Sequence, residues 1–263
     1  MSTKKALVMF TRAFFLAAPL VGGCSGRAPL AQSDRAVQGG RVILLAHGLN
    51  EDKHEPLWSL ILDAEALLRN GPLSGPDQLL IHVYQNQADV GSVAGPQPAW
   101  VRAIALPEAI HLWSPWAWPE SIDRGQIVGI IAHEWVHVRL MGLIEGRDGG
   151  VVGIWPPEME EGIASLLSGQ GAYRADREQL GAHLRAHREI DPFDPSGSVE
   201  LYYTACHHWV DSLRHQQSGW GWMKALARQA RAGVPVGEAF QQIFGQTMKV
   251  HQGLFLDQLR QSK

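Results

Sequence analysis

The sequence predicts an α+β fold in which a small mixed sheet comes first and helices fill the second half of the chain. Short apolar runs bounded by turn residues dominate between residues 41 and 113, and helical apolar spacing takes over from residue 123. The chain of 263 residues with 45% hydrophobic content is long enough to bury its own core. We therefore expect a globular domain that folds without help from a partner.

The sheet is predicted from short apolar runs, with one helix between the first two strands. Val42 to Ala46 indicates a buried strand, and Leu57 to Leu68 repeats its apolar residues at helical spacing. Leu79 to Tyr84 predicts a second strand. Trp100 to Leu106 and Ala109 to Trp113 are each followed closely by proline, which favours a hairpin at the edge of the sheet.

The second half is predicted to be helical. The first of these helices runs from Asp123, a plausible N-cap, to Met141, and a Gly-rich loop follows it. A second helix opens at a pair of prolines, which the first helical turn tolerates. The helices predicted after the loop cover residues 158–167, 202–213, 220–232 and 236–259.

The N-terminus is typical of an exported protein. Basic residues precede a short apolar run that leads through two glycines to Cys24. Residues 1–23 therefore predict a signal peptide, and the small residues before Cys24 resemble a bacterial lipobox, which implies a lipid on that cysteine. The location expected is the bacterial cell envelope, anchored at Cys24; the alternative is a secreted or soluble periplasmic protein cleaved elsewhere.

The domain organisation follows from this signal. Residues 24–40 are rich in small and polar residues and predict a flexible tether to the lipid anchor. Residues 41–263 then form the folded domain, with a sheet lobe at about 41–141 and a helical lobe at about 154–263.

Charge excludes one class of partner. The chain has 23 basic and 26 acidic residues, and no Lys/Arg cluster follows the signal, so a nucleic-acid surface is not expected. If Cys24 carries a lipid, Cys206 has no cysteine partner, and stability must come from the core and from a bound metal.

The residues with the clearest chemistry are His133, Glu134 and His137, which form the pattern H-E-x-x-H. Residues four apart lie on the same side of a helix, so the two imidazoles can bind one zinc ion. Glu134 points beside that ion, where a carboxylate can act as general base for an attacking water. The motif therefore supplies metal ligands and base together.

A catalytic zinc site of this kind needs a third protein ligand. The acidic run that follows the loop offers Glu158, Glu160 and Glu161. An acidic side chain in a first helical turn also stabilises the helix dipole, so the spacing alone leaves the choice among the three open.

The order H-E-x-x-H, loop, E-G-x-A resembles the gluzincin peptidases, including the small bacterial peptidase MA-like domains. The resemblance implies a zincin-like fold, Zn²⁺ held by His133, His137 and Glu161, and a peptide or protein substrate bound as an added strand at the sheet edge. It also implies an oxyanion donor at Tyr203, although the adjacent Tyr202 competes for that role.

The function expected is zinc-dependent hydrolysis of peptide bonds in the cell envelope. The alternative is a noncatalytic zincin-like envelope domain that uses the site for structure or partner binding. A metzincin is disfavoured because no third histidine follows in the required register. His47 and Gly48 resemble the oxyanion turn of an α/β-hydrolase, but the sequence has no G-x-S-x-G nucleophile elbow, so they are expected to end a strand in a turn.

Overall fold

The computed structural model describes residues 30–37, 40–76, 78–95, 97–98, 100–107, 109–118, 122–144 and 155–262. The predicted signal peptide, Cys24 and most of the Gly-rich loop lie outside these residues. The chain divides into two compact units, Met1–Val138 and Arg139–Lys263.

The first unit contains a mixed sheet, which confirms the predicted class of fold. Its described strands are β1 (Leu30–Val37), β2 (Gly40–His47), β3 (Gln78–Tyr84), β4 (Ala103–Leu106) and β5 (Ala109–Trp113). They lie in the order β1-β2-β3-β5-β4. The central strands β2, β3 and β5 are parallel, and both edge strands are antiparallel to their neighbours. The hairpin of β4 and β5, with β4 at the edge, is as predicted.

The tether predicted for residues 24–40 is wrong from Leu30 onward, because Leu30–Val37 is strand β1. The strand escapes sequence analysis because its residues alternate between exposed and half-buried and none is fully buried. Backbone pairing with β2, from Leu30 opposite His47 to Val37 opposite Gly40, holds it in the sheet. The indole of Trp58 also donates to the Ser33 hydroxyl at 2.9 Å.

Three α-helices follow strands of the sheet in the chain: α1 (His54–Leu68), α2 (Gln87–Ala94) and α3 (Arg124–Ile144), which begins in the first unit and ends in the second. The sequence predicts α1 and α3 but not α2. Asp123 caps α3 as expected, because its carboxylate accepts from the Gln126 amide at 2.8 Å and the Gln126 side chain accepts from the Asp123 amide at 3.1 Å. Among the described helices α3 alone is long and apolar enough to cross a bilayer, but 83% of its apolar window is buried inside the protein.

The second unit is helical as far as the structure describes it. Its helices are α4 (Pro157–Leu167), α5 (Arg177–Ala186), α6 (Val199–Gln216), α7 (Gly221–Arg231), α8 (Val236–Phe244) and α9 (Met248–Gln261). The packed pairs are α4 with α6, α5 with α9, and α7 with α8. The single helix predicted over residues 236–259 is wrong, because Gly245 adopts a left-handed conformation with φ of 77° and ends α8 there. Helix α5 was not predicted.

Candidate metal centre

The two histidines of the motif lie one turn apart on the buried side of α3. His133 is fully buried and His137 is 4% exposed. Their Nε2 atoms are 3.0 Å apart, and the two rings meet edge to face at an interplanar angle of 70°. The i,i+4 spacing therefore brings two imidazole nitrogens together, as the sequence analysis expected.

Helix α4 presents the acidic run. Pro157 occupies the first turn, where its missing N–H costs no hydrogen bond, and Glu158 and Glu160 share that turn. Glu158 is half-buried, whereas Glu160 and Glu161 are buried. A buried carboxylate needs a partner or a cation to offset the loss of hydration.

The ligand atoms of His133, His137 and Glu161 all lie within 4.8 Å of one another, and all three residues are buried. In the described part of the chain this is the one group of three or more metal-ligating side chains so arranged, and it contains neither Glu158 nor Glu160. Two imidazoles and a carboxylate are a donor set that suits zinc, with a further coordination position left for water or substrate. The group can therefore bind a metal ion.

Glu134 follows His133 on α3 and is 3% exposed. A carboxylate in this position can take a proton from a water molecule held near the histidines.

Tyr203 lies on α6 and is 2% exposed. The guanidinium carbon of Arg174 lies 4.9 Å from the centre of the Tyr203 ring, in cation–π contact. Arg174 also donates to the side chain of Gln170 at 3.2 Å. Burial lowers the pKa of Arg174, and the charges of Tyr203 and Glu161 oppose that shift. The contact of Arg174 with Tyr203 was not predictable, because no motif or spacing distinguishes Arg174 in the sequence.

The neighbouring Tyr202 has a different environment. Cys206 lies one turn further along α6, and its thiol interacts with the Tyr202 side chain. Burial raises the pKa of Tyr202, and the nearby thiol and the carboxylates of Glu161 and Glu158 raise it further. Burial also raises the pKa of Cys206, the free cysteine of the described residues.

His207 and His208 lie one turn further along α6 than Tyr203, and both have hydrogen-bond partners. The Nδ1 atom of His207 lies 3.0 Å from the Ser165 hydroxyl, and Nε2 of His208 lies 2.9 Å from the Ala175 carbonyl oxygen. Burial lowers the pKa of His207 to about 4, and the charges of His208 and Arg174 add to this shift. These contacts give both histidines a packing role.

The expected turn after β2 is confirmed. The strand ends at His47, and Gly48 has a φ of 69°, a left-handed conformation that glycine adopts without strain.

Comparisons with known proteins were made by family model, by sequence and by structure. No protein-family model and no curated protein matches the chain. A crystal structure of an aminopeptidase N family protein from Idiomarina loihiensis is similar over 89% of this chain, with 14% identity and a TM-score of 0.47. This chain covers 47% of that protein, or about half of its length.

Proposed function

We propose that this protein is a zinc-dependent peptidase in which His133, His137 and Glu161 bind the metal ion. The observation that carries the proposal is the buried group of two imidazoles and one carboxylate, with ligand atoms within 4.8 Å of one another. The carboxylate of Glu134 lies next to one of these histidines in the sequence. Metal and general base in one motif are what hydrolysis by an activated water requires.

Glu134 has two tasks in this mechanism. It accepts a proton from the water that attacks the peptide carbonyl, and it then passes that proton to the leaving amine. When bound, Zn²⁺ supplies Lewis-acid polarisation of the carbonyl and the water. A zinc-free protein should therefore lose hydrolysis.

Tyr203 is the candidate donor to the oxygen of the attacked carbonyl, where negative charge develops. A donor whose position is fixed before the reaction stabilises this charge more than a donor that must be ordered during the reaction. The Arg174 guanidinium stacked over the Tyr203 ring supports such fixed placement. Tyr202 is the weaker candidate, because no cation–π contact of this kind is seen at its ring in the described residues.

The substrate is proposed to be a peptide or protein segment in extended form. Strand β4 lies at the edge of the described sheet, so one side of its backbone has no strand partner there. A peptide added to such an edge is held by main-chain hydrogen bonds, which tolerate many sequences. The site of action is proposed to be the cell envelope, with a lipid on Cys24 holding the protein at a membrane.

The experiment compares zinc binding and peptide cleavage in three variants of the full chain. Glu134→Gln should retain about one equivalent of zinc and lose roughly 10²- to 10⁴-fold in cleavage rate. His133→Gln should lose both zinc and cleavage. Glu158→Gln is the matched control and should change neither.

Two results would contradict the proposal: wild-type zinc affinity in His133→Gln, or equal cleavage by the wild type and Glu134→Gln. A zinc-loaded wild type that cleaves nothing in a broad peptide library would favour the second candidate, a noncatalytic domain that uses its metal for structure or partner binding. The intact Glu134 argues against that candidate, because a structural zinc site has no use for a general base.

A further inference from the structure

Two exposed histidines lie at the C-terminal end of helix α5, His183 in its last turn and His187 at its C-cap. The amide of His187 donates to the carbonyl oxygen of His183 at 3.0 Å, so one closed helical turn separates the two residues. The side chain of His187 is 50% exposed. Residues four apart lie one above the other on the same side of a helix, so both imidazoles project into solvent together.

The two imidazole rings are close enough to bind one ion. Their centres are 4.8 Å apart, and their planes are tilted by 42°. The two histidines of the motif on α3 have the same spacing, with ring centres 4.7 Å apart, and there the two Nε2 atoms converge to 3.0 Å. Because the rings on α5 are exposed, rotation about their side-chain bonds can bring both Nε2 lone pairs to one point in the same way.

The end of the helix favours a bound cation. The last carbonyl groups of a helix have no full set of intrahelical partners, and they give its C-terminus a partial negative charge. Both histidines lie within this last turn of α5 or at its cap. A metal ion held between them is therefore stabilised by the helix as well as by its ligands.

Glu189 places a carboxylate beside the pair. One of its oxygens lies 3.8 Å from Nδ1 of His187, at ion-pair distance. A carboxylate on this side of the ring favours the tautomer with the proton on Nδ1, which leaves the lone pair of Nε2 for a metal ion.

The two arginines of this segment do not occupy the pair. Arg185 lies between the histidines in the sequence, but its side chain donates to the carbonyl oxygens of Leu259 and Ser262 at the end of α9. Arg188 follows the C-cap and is exposed, so solvent and salt screen its repulsion of a bound cation.

We propose that His183 and His187 form a second metal site, a surface site of two imidazoles for a divalent d-block cation such as Cu²⁺, Ni²⁺ or Zn²⁺. Imidazole suits these ions, and Cu²⁺ is expected to bind most tightly. Glu189 steadies the ring of His187, a role that carboxylates commonly serve for metal-binding histidines. Water takes the remaining coordination positions, so the affinity is lower than that of the three-ligand group on α3 and α4.

The test is a Cu²⁺ titration of the full chain, followed by electron paramagnetic resonance and by competition with a chelator. The double variant His133→Gln/His137→Gln is titrated in parallel, and the signal of two equatorial nitrogens that it shares with the wild type belongs to the site on α5. His183→Gln and His187→Gln should each remove one nitrogen and weaken Cu²⁺ binding at this site by roughly 10²-fold, because the second imidazole binds in an intramolecular step.

Two controls separate chelation from the mere presence of histidine. His215→Gln removes an exposed histidine from the last turn of α6, where Asp211 and not a histidine lies four residues before it, and should leave the signal unchanged. Ala182→His/His183→Gln keeps two imidazoles but places them five residues apart, on different sides of the helix. Ala182 is exposed, so this variant should fold and yet bind Cu²⁺ as weakly as His183→Gln.

A measurement on the wild type is independent of any variant. Less than one equivalent of Cu²⁺ should broaden the imidazole resonances of His183 and His187 in the NMR spectrum before that of His215. Equal broadening of all three, unchanged Cu²⁺ affinity in both single variants, or full affinity in Ala182→His/His183→Gln would overturn the second site. Each of these results would leave the proposed peptidase activity unaffected, because neither histidine takes part in it.

Discussion

Gly162 directly follows the proposed ligand Glu161, and it lies against the backbone of α6. A Cβ atom at this position would come within 2.3 Å of the Cys206 carbonyl oxygen and 2.4 Å of a Val210 methyl group. The glycine of the E-G-x-A pattern therefore has a packing role in this chain, because it lets α4 approach α6.

Gly162→Ala should destabilise the protein by about 1–3 kcal/mol, since the clash with the α6 backbone forces the two helices apart. The measurement is the free energy of unfolding in urea. Gly142→Ala on α3 is the control, because a Cβ there meets nothing within 4 Å. A neutral result for Gly162→Ala would show that α4 can shift without cost.

The residues of the candidate metal centre were predictable in part. His133 and His137 follow from helical spacing, because four residues make about one turn. The choice of Glu161 over Glu158 and Glu160 came from resemblance to a family. By contrast, the stacked rings of His47, His82, Tyr84 and His111 on the sheet were not predictable, because they lie on three strands and only the register brings them together.

At the scale of elements, strong apolar runs were predictable and short or polar elements were not. Helix α2 has eight residues and depends on the Asn86 side chain, which accepts from the Asp89 amide. Helix α5 has Leu180 and Leu184 as its apolar pair and a capping box between Asp176 and Gln179. That D-x-x-Q pattern was the available signal for α5.

The break between α8 and α9 is a property of one residue. The sequence from 236 to 259 keeps its helical apolar spacing, so periodicity alone predicts a continuous helix. Gly245 ends α8 in a left-handed conformation, and Thr247 then caps α9 by accepting from the Val250 amide at 3.4 Å.

Gly245→Ala should therefore destabilise the protein by about 1 kcal/mol through backbone strain, because a Cβ there contacts nothing within 4 Å. Gly253→Ala, in the middle of α9 with equally open space, should stabilise it by up to about 1 kcal/mol through helix propensity. Opposite signs in thermal unfolding of the two variants are the expected result. Equal effects would mean that the left-handed conformation is not required.

At the scale of the whole molecule, buried histidines couple stability to pH. Burial lowers the pKa of six described histidines below the ordinary value of 6.5: His47, His82, His111, His207, His208 and His251. Two of them, His111 and His207, are lowered to about 4. Over the pH range between the lowered pKa and 6.5, each of these imidazoles is neutral in the folded protein but protonated in the unfolded chain.

The sign of the effect follows from proton binding. Between about pH 6.5 and about pH 4 the unfolded chain binds more protons than the folded protein at His111 and His207, so acidification favours unfolding. We expect the free energy of unfolding to fall steadily across this range, with His111 alone contributing up to about 3 kcal/mol.

Urea unfolding at a series of pH values, with a chelator present so that metal binding adds no pH dependence of its own, measures this fall. His111→Gln and His207→Gln should each reduce the slope of stability against pH between 6.5 and 4, because each removes one imidazole that must stay neutral in the fold. His183→Gln removes an exposed imidazole instead and should leave the slope close to that of the wild type. An unchanged slope in the first two variants would mean that carboxylates, and not buried histidines, govern the acid stability of the molecule.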